Sequence, residues 1–272
     1  MIAMITQRFR ISLLVLMLVP FFVFSQKKGF YFTDNSYHRI FKEQKVKSLK
    51  EYAKRFDKNG KLKKESLEAI RYFAKNGDLT REREYYGSGQ NEYWEITSQY
   101  NAHHQMLRTE WISLEDKTKE LSIYEYDSEQ KLIKSCDYWK DALYKEYKLE
   151  GCETYHYKDG LIHKIKSFKG ITTSTFKHDD KGFISKFNAT NKLESKYENG
   201  ELIYLRSRDN SAYKYERNSI GQILKSIKVD LEGNLLNEKI FEYQNGLLIK
   251  TVFKEKNGHI KYVERYVYEY YE

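Results

Sequence analysis

Two cysteines, seven histidines and an abundance of carboxylates are the residues of this 272-residue chain with the means to do chemistry. Cys136 and Cys152 can form a disulfide only if their Cα atoms come within about 7 Å of each other. A turn at Glu150-Gly151 would put one whole strand between theirs. Two strand spacings then hold them roughly 9–10 Å apart. The spacing favours two separate thiols, and leaves pairing to a coiled or bulged local structure.

His156 and His163 flank Asp159-Gly160, and the register of a two-residue turn there sets the two imidazoles face to face. Such a pair supplies two metal ligands, whereas structural zinc sites use four and catalytic ones three. No third ligand is placed beside it. His103 and His104 point to opposite faces of an extended chain and cannot chelate together. Carboxylates such as Glu264 and Glu269, or Asp179 and Asp180, are of the type that paired acid and base work requires. A charged strand face is the ordinary explanation, and the sequence picks out no pair. There is no nucleophile elbow, H-E-x-x-H zinc motif, phosphate loop or dinucleotide fingerprint. No catalytic, cofactor-binding or metal residue is therefore assigned, no cofactor is expected, and the chain reads as non-enzymatic.

The elements that position these side chains are announced by glycine. Nine of the 14 glycines are followed two residues later by Leu or Ile, as in Gly60-Lys61-Leu62, Gly160-Leu161-Ile162 and Gly246-Leu247-Leu248. Asn or Asp precedes six of the nine, and Asn-Gly or Asp-Gly is a strong hairpin signal because a type I′ turn needs positive φ at both central residues. Weaker signals, including Asn101–His104, Ser128-Glu129 and Glu150-Gly151, fill the gaps. Turns then recur about every 12 residues and predict an all-β antiparallel meander of repeated β-hairpins, with about 18–19 short strands. So many strands either coil on themselves or stay as a single-layer extended sheet. From Ile260 onward, Tyr262, Glu264, Tyr266, Tyr268 and Tyr270 alternate with Lys261, Val263, Arg265, Val267 and Glu269, the period of a strand with two partly wet faces. The segment from Glu43 to Phe56 places Val46, Leu49, Tyr52 and Phe56 at helical spacing, yet reads as a strand because Asp57-Lys58-Asn59-Gly60 closes a hairpin. The first and last strands would be free to pair edge to edge with another copy, with Arg265 and Glu269 discouraging it.

Residues 1–25 differ in kind from the rest. Arg8 and Arg10 precede an apolar run from Ile11 to Phe24 that ends in Val23-Phe24-Ser25, the pattern of a cleaved signal peptide. The run is shorter than the roughly 20 apolar residues of a membrane span. Residues 26–272 form one β-hairpin repeat domain, with no stable membrane span after cleavage. Mean hydropathy is −0.79 and 32% of residues are charged, values typical of disorder. The 25 Tyr and 15 Phe argue for order instead. The net charge of +9 is spread along the chain rather than blocked, as solvated faces require.

YEYDSEQKLI from Tyr124, YHYKDGLIHKI from Tyr155, YENGELIYL from Tyr197 and YQNGLLIKT from Tyr243 resemble the tyrosine-aspartate repeat of the Rhs/YD family, roughly Tyr-Asp-x-x-Gly-x-Leu. Tyr126-Asp127 keeps the literal pair; elsewhere Glu, Lys, Gln or Asn replaces the acid. The resemblance implies a strip of hairpins that winds into a shell, which in that family sometimes encloses a toxic C-terminal domain. No non-repeat segment follows the last hairpin here, so a cargo-carrying toxin is not expected. The MORN-like and antitoxin-like hairpin proteins are similar in second place, with more glycine per unit.

The function expected is that of an exported binding or scaffolding surface, in the cell envelope or outside the cell. Its partner is an envelope polysaccharide or protein. Interleaved Lys and Tyr could hold single-stranded nucleic acid, but export removes that client. The rival reading is a carbohydrate-active enzyme using carboxylates on one sheet face.

Overall fold

A computed structural model describes residues 36–86, 92–141, 146–179, 184–189, 194–198, 201–206, 211–220 and 222–272. The expected signal peptide, 1–25, and the expected start of the repeat domain lie outside these residues. A helix α1 (Ser36–Glu43) precedes β1 (Val46–Phe56), β2 (Leu62–Phe73), β3 (Leu79–Tyr86), β4 (Glu92–Tyr100), β5 (Met106–Ser113) and β6 (Lys119–Tyr126). There follow β7 (Leu132–Lys140), β8 (Lys148–Lys158), β9 (Leu161–Ser167), β10 (Thr172–His178), β11 (Ile184–Ala189) and β12 (Glu194–Glu198). The chain then runs through β13 (Glu201–Arg206), β14 (Ala212–Arg217), β15 (Ile223–Val229), β16 (Leu235–Gln244), β17 (Leu247–Glu255) and β18 (Ile260–Tyr270). The all-β meander is as expected, and the segment after Glu43 is a strand; α1 is an element that the repeat pattern did not announce.

Most of the reversals among the described residues are not of the type expected. In the loops 57–61, 74–78, 101–105, 127–131, 167–171, 230–234 and 255–259, the first residue's N–H donates to the carbonyl four residues on. The fourth residue's N–H donates back to the first carbonyl, all at 2.8–3.2 Å. Only that fourth residue has positive φ: Gly60, Gly77, His104, Gln130, Gly170, Gly233 or Gly258. This is a type I turn closed by a left-handed residue and a bulge. Both-positive two-residue turns occur at Asp159-Gly160 (φ 53° and 78°) and Asn245-Gly246 (φ 51° and 79°).

The longer loop prevails because a side chain caps it. Asp57 Oδ1 accepts from the N–H groups of Asn59 and Lys61, and Asp127 Oδ1 from those of Glu129 and Lys131, at 2.8–2.9 Å. Asn101 and Asn218 do the same for their own turns. The acidic or amide residue that opens the turn, after an aromatic in three of these four cases, thus replaces backbone partners that the reversal leaves unpaired. The aromatic has its own task. Tyr126, Tyr157, Tyr243 and Tyr268 donate their hydroxyls to the carbonyls of Met106, Leu132, Ile223 and Leu248, at 2.9, 2.9, 3.0 and 2.7 Å. Each acceptor is the first or second residue of the preceding strand. The Tyr-Asp pair at 126–127 therefore clamps one strand and caps the next turn.

Every strand pairs antiparallel with its successor. The last also pairs with the first: β18 lies antiparallel to β1 from Tyr270↔Val46 to Tyr262↔Arg55. The ribbon coils until its ends meet, and the free edges expected at Arg265 and Glu269 do not exist; Glu269 instead accepts from Ser48 and Lys50 of β1.

Two expectations are overturned by strand boundaries. Glu150-Gly151 is not a turn but lies inside β8, so β7 and β8 are direct neighbours and Cys136 faces Cys152. The two form a disulfide. Closing a loop of that length contributes about 3 kcal/mol in the chain-entropy account. The Asp159-Gly160 turn holds its register only as far as Tyr157↔Ile162; a bulge then sets His156 against Lys164, not His163.

Because neighbouring strands alternate in direction, alternate turns share a rim. On one rim Gln105 Nε2 donates to Gln130 O (2.6 Å) and Gln222 Nε2 to Gly246 O (2.8 Å), tying each turn to the next on that side. Helix α1 lies across this rim. Phe41 packs with Phe73 (ring centroids 4.5 Å), Val46, Leu49 and Leu247 in an apolar cluster, with Tyr266 and Tyr268 against it. Gly77 permits the approach, since a Cβ there would stand 2.4 Å from His38 O.

Candidate functional site

A ring of strands has two faces, and here they differ in chemistry. One carries Lys50–Glu269, Lys134–Glu125, Lys225–Glu238 and Lys250–Glu242 ion pairs at 2.5–2.9 Å, partly open to solvent. This is the outer wall. Lipid-facing barrels present an apolar band there, and each Lys or Arg at mid-membrane costs about 2–4 kcal/mol. At these four pairs the outer wall is charged rather than apolar. No helix among the described residues is long and apolar enough to cross a membrane.

The other face is traced by cross-strand neighbours. Tyr268, Leu49, Arg71, Glu82, Ile96, Trp111, Glu120 and Trp139 stand opposite one another in sequence across β18, β1 and on to β7. Beside that row run Tyr266, Glu51, Ala69, Glu84 and Trp94. Ala53, Ala69, Glu82, Glu84, Ile96, Thr109 and Thr251 on this face are buried. It is the inner wall.

Its most charged stretch spans β16–β18 and β1–β3. Arg71 donates from Nη1 to Glu51 Oε2 (2.9 Å) and lies with Nε 2.6 Å from Glu82 Oε1. Burial opposes its charge, but the Glu82 and Glu51 carboxylates more than offset that and hold the guanidinium protonated. Tyr266 donates to Glu264 Oε2 (3.1 Å), with Thr251 Oγ1 3.3 Å from its hydroxyl. Burial pushes the Glu264 carboxyl above the usual carboxylate range, against the pull of Lys239. Lys239 sits over the Tyr262 ring (5.5 Å), and that ring stacks on Phe253 (centroids 4.7 Å, planes 6° apart). The Glu51 charge acts on Lys239 although β1 and β16 are three strands apart, as the concave side of a coiled sheet allows. Here Glu51, Glu68, Glu82, Glu84 and Glu264 stand with Arg55, Lys64, Arg71 and Lys239, a narrow excess of carboxylates.

Further round, Tyr155 lies with its hydroxyl 3.2 Å from Ser135 Oγ, and Thr173 Oγ1 donates to Glu153 Oε1 (3.2 Å). Burial raises the hydroxyls of Tyr100, Tyr124, Tyr155 and Tyr266, and the Glu153 carboxyl, above their ordinary values. These side chains keep partial solvent contact. Partial wetting with suppressed ionisation describes groups that face an enclosed interior reached by water. Aromatic faces, hydroxyls and carboxylates on one concave wall can stack on flat rings and accept hydrogen bonds from hydroxyl groups.

The residues singled out by sequence are dispersed. Glu264 is on the inner wall and Glu269 on the outer, so they are no catalytic pair. Asp180 lies outside the described residues. His103 and His104 occupy one turn, and only His104 turns inward to other ligand-type atoms. Sequence reasoning assigned no metal residue, and among the described residues His38, Asp78 and His104 alone are grouped closely enough to hold one. Arg71, Glu51 and Glu82 were missed, because cross-strand register is not visible in a list of charges.

No protein-family model matches the chain, and no curated protein matches it. Solved structures similar to it include the Photorhabdus luminescens Tc holotoxin pore, with TM-score 0.31 and 9% identity over 75% of this chain and 14% of that one. A porin-like protein from Bacteroides uniformis gives TM-score 0.31 and 10% identity, covering 82% of this chain and 98% of that one. A LolA superfamily protein from Nitrosomonas europaea gives 0.25 and 8%, covering 85% and 90%. This chain spans only a small part of the toxin chains it matches, 11% in a TcdB2–TccC3 structure. Likeness at these values carries no assignment of family or function.

Proposed function

We propose that this is an exported, non-enzymatic binding module whose inner wall takes up a neutral or amino-sugar polysaccharide of the cell envelope. The observation that carries the reading is the joint placement of Trp and Tyr faces with carboxylates on one concave wall, while the Lys–Glu outer wall is spent on its own ion pairs. Sugar rings stack on flat aromatic faces, and their hydroxyls donate to carboxylates. The same carboxylates repel polyanions, which argues against nucleic acid. Export is supported by the sequence pattern of residues 1–25 and by the Cys136–Cys152 bridge, which persists in oxidising compartments.

The test is calorimetric titration of the mature chain with neutral, amino-sugar and acidic envelope polysaccharides. Trp111→Ala and Tyr155→Ala on the inner wall should weaken binding, and Lys225→Ala on the outer wall should leave it unchanged. Equal loss from both walls, or retention of acidic polymers alone, refutes the reading. One observation favours a hydrolase instead: Glu153 and Glu264 are carboxyls of raised pKa on the inner wall. Release of reducing ends from any of the same polymers, abolished by Glu264→Gln, would establish that rival.

A further inference from the structure

We infer that His38, Asp78 and His104 form a binding site for a zinc-type divalent transition metal, which fastens α1 to the rim. The three come from separate segments: the helix, the loop 74–78 and the loop 101–105. His38 Nε2 stands 3.0 Å from Asp78 Oδ1, and His104 Nδ1 stands 3.1 Å from Asp78 Oδ2. All three ligand atoms lie within 4.8 Å of one another. Ligands about 2.0–2.1 Å from a tetrahedral zinc are themselves about 3.3 Å apart, so the two His–Asp separations already fit, and the imidazoles, with ring centroids 4.7 Å apart, would draw together on binding.

Hydrogen bonding leaves one nitrogen of this cluster poorly served. Nε2 of His38 is buried without a hydrogen-bond partner, despite its nearness to the carboxylate. His104 Nδ1 faces both Asp78 oxygens, at 3.2 and 3.1 Å, and also Asn76 Nδ2 at 3.2 Å. A protonated Nδ1 can donate to the carboxylate while Asn76 Nδ2 serves Oδ2, so these groups converge on one point that a cation could also occupy. A cation at the meeting point would take the lone pairs of both imidazoles and one carboxylate oxygen.

The surroundings are those of an oriented ligand set. Asp78 is 7% exposed, and Asn76 Nδ2 donates to its Oδ2 (2.8 Å), fixing the carboxylate as outer partners of metal ligands do. His104 also holds the left-handed position of its loop (φ 62°), which five of the seven loops of this type give to glycine. A side chain there is strained relative to glycine, and the imidazole it delivers is the compensating feature. Two imidazoles and a carboxylate suit zinc and its late first-row neighbours rather than calcium or magnesium. Three protein ligands leave a fourth position open.

The test uses the untagged mature chain after chelator treatment, titrated with Zn2+ by calorimetry and with Co2+ by visible absorption. One equivalent should bind, Co2+ should show tetrahedral absorption bands, and the melting temperature should rise on loading. His104→Gln and Asp78→Asn should abolish the bands and weaken Zn2+ by more than the about tenfold to hundredfold expected for the orienting change Asn76→Ala. His103→Gln, in the same loop, should behave as wild type. Should a variant melt early without metal, His38→Gln on the helix provides the same comparison outside the sheet. Binding that fails to saturate at one equivalent, or equal affinity in the His103 and His104 variants, overturns the inference.

Discussion

If the tyrosine hydroxyls clamp successive strands, removing them one at a time should cost stability in an order set by their acceptors. Tyr157 donates to the carbonyl of Leu132, which is fully buried, and Tyr243 to that of Ile223, which is nearly so. Without the hydroxyl, each carbonyl loses a partner at a residue that water does not reach, so Tyr157→Phe and Tyr243→Phe should cost about 2 kcal/mol apiece. Tyr126 donates to Met106, which is only half-buried. Water can replace that hydroxyl, so Tyr126→Phe should cost about 1 kcal/mol or less. Tyr157 and Tyr243 stand on β8 and β16 with no shared acceptor, so their double variant should be additive within about 0.5 kcal/mol. Urea titration followed by tryptophan fluorescence, with the disulfide kept oxidised, measures all four. Costs below about 0.3 kcal/mol throughout, or Tyr126 the costliest, would falsify the account, because the tyrosines would then be serving only as strand-forming bulk.

Two further outcomes rest on the same coordinates. Gly60→Ala meets nothing within 4 Å and carries only the left-handed penalty of about 1–2 kcal/mol, whereas Gly77→Ala also drives a Cβ to 2.4 Å from His38 O; urea titration should find Gly77→Ala costlier by at least about 1 kcal/mol, and equal costs would mean that α1 does not need that approach. The Glu264 carboxyl has a folded pKa raised by burial, so the folded state holds its proton above the pH at which the unfolded chain releases it. Its contribution to stability is therefore greatest at low pH and falls as pH rises through the folded value; Glu264→Gln should flatten that fall, and an unchanged profile in a pH series of melts would refute it.

The strand count was legible because turn chemistry is local: an Asp or Asn acceptor and a left-handed residue three positions later act within five residues. So was the two-faced character of β18, where Tyr262 to Tyr268 point inward and Val263 to Val267 outward. What escaped depends on partners. Gly151 looked like a turn because glycine permits one, yet β8 continues through it and brings the cysteines together. His156 lost its expected partner to a bulge of one residue, a shift that no local pattern specifies. Helix α1 is eight residues with no repeat, held by Phe41 in a pocket whose walls come from both ends of the chain. The Arg71 network and the His38–Asp78–His104 group needed the register of β1–β3 and the adjacency of alternate turns. A histidine where most sister loops carry glycine was the one local sign of the latter.

The junction of β1 with β18 joins residues more than two hundred positions apart. Every other pairing in the ring is between sequence neighbours and can zip up as soon as its hairpin emerges, so this seam is the single step that carries a large loop-closure cost and should set the pace of maturation. Until it forms, the ladder has two open margins, each able to recruit a strand from another molecule. The same polypeptide is thus self-sealed when finished and adhesive while incomplete, and a cut removing β18 would leave it permanently in the second condition.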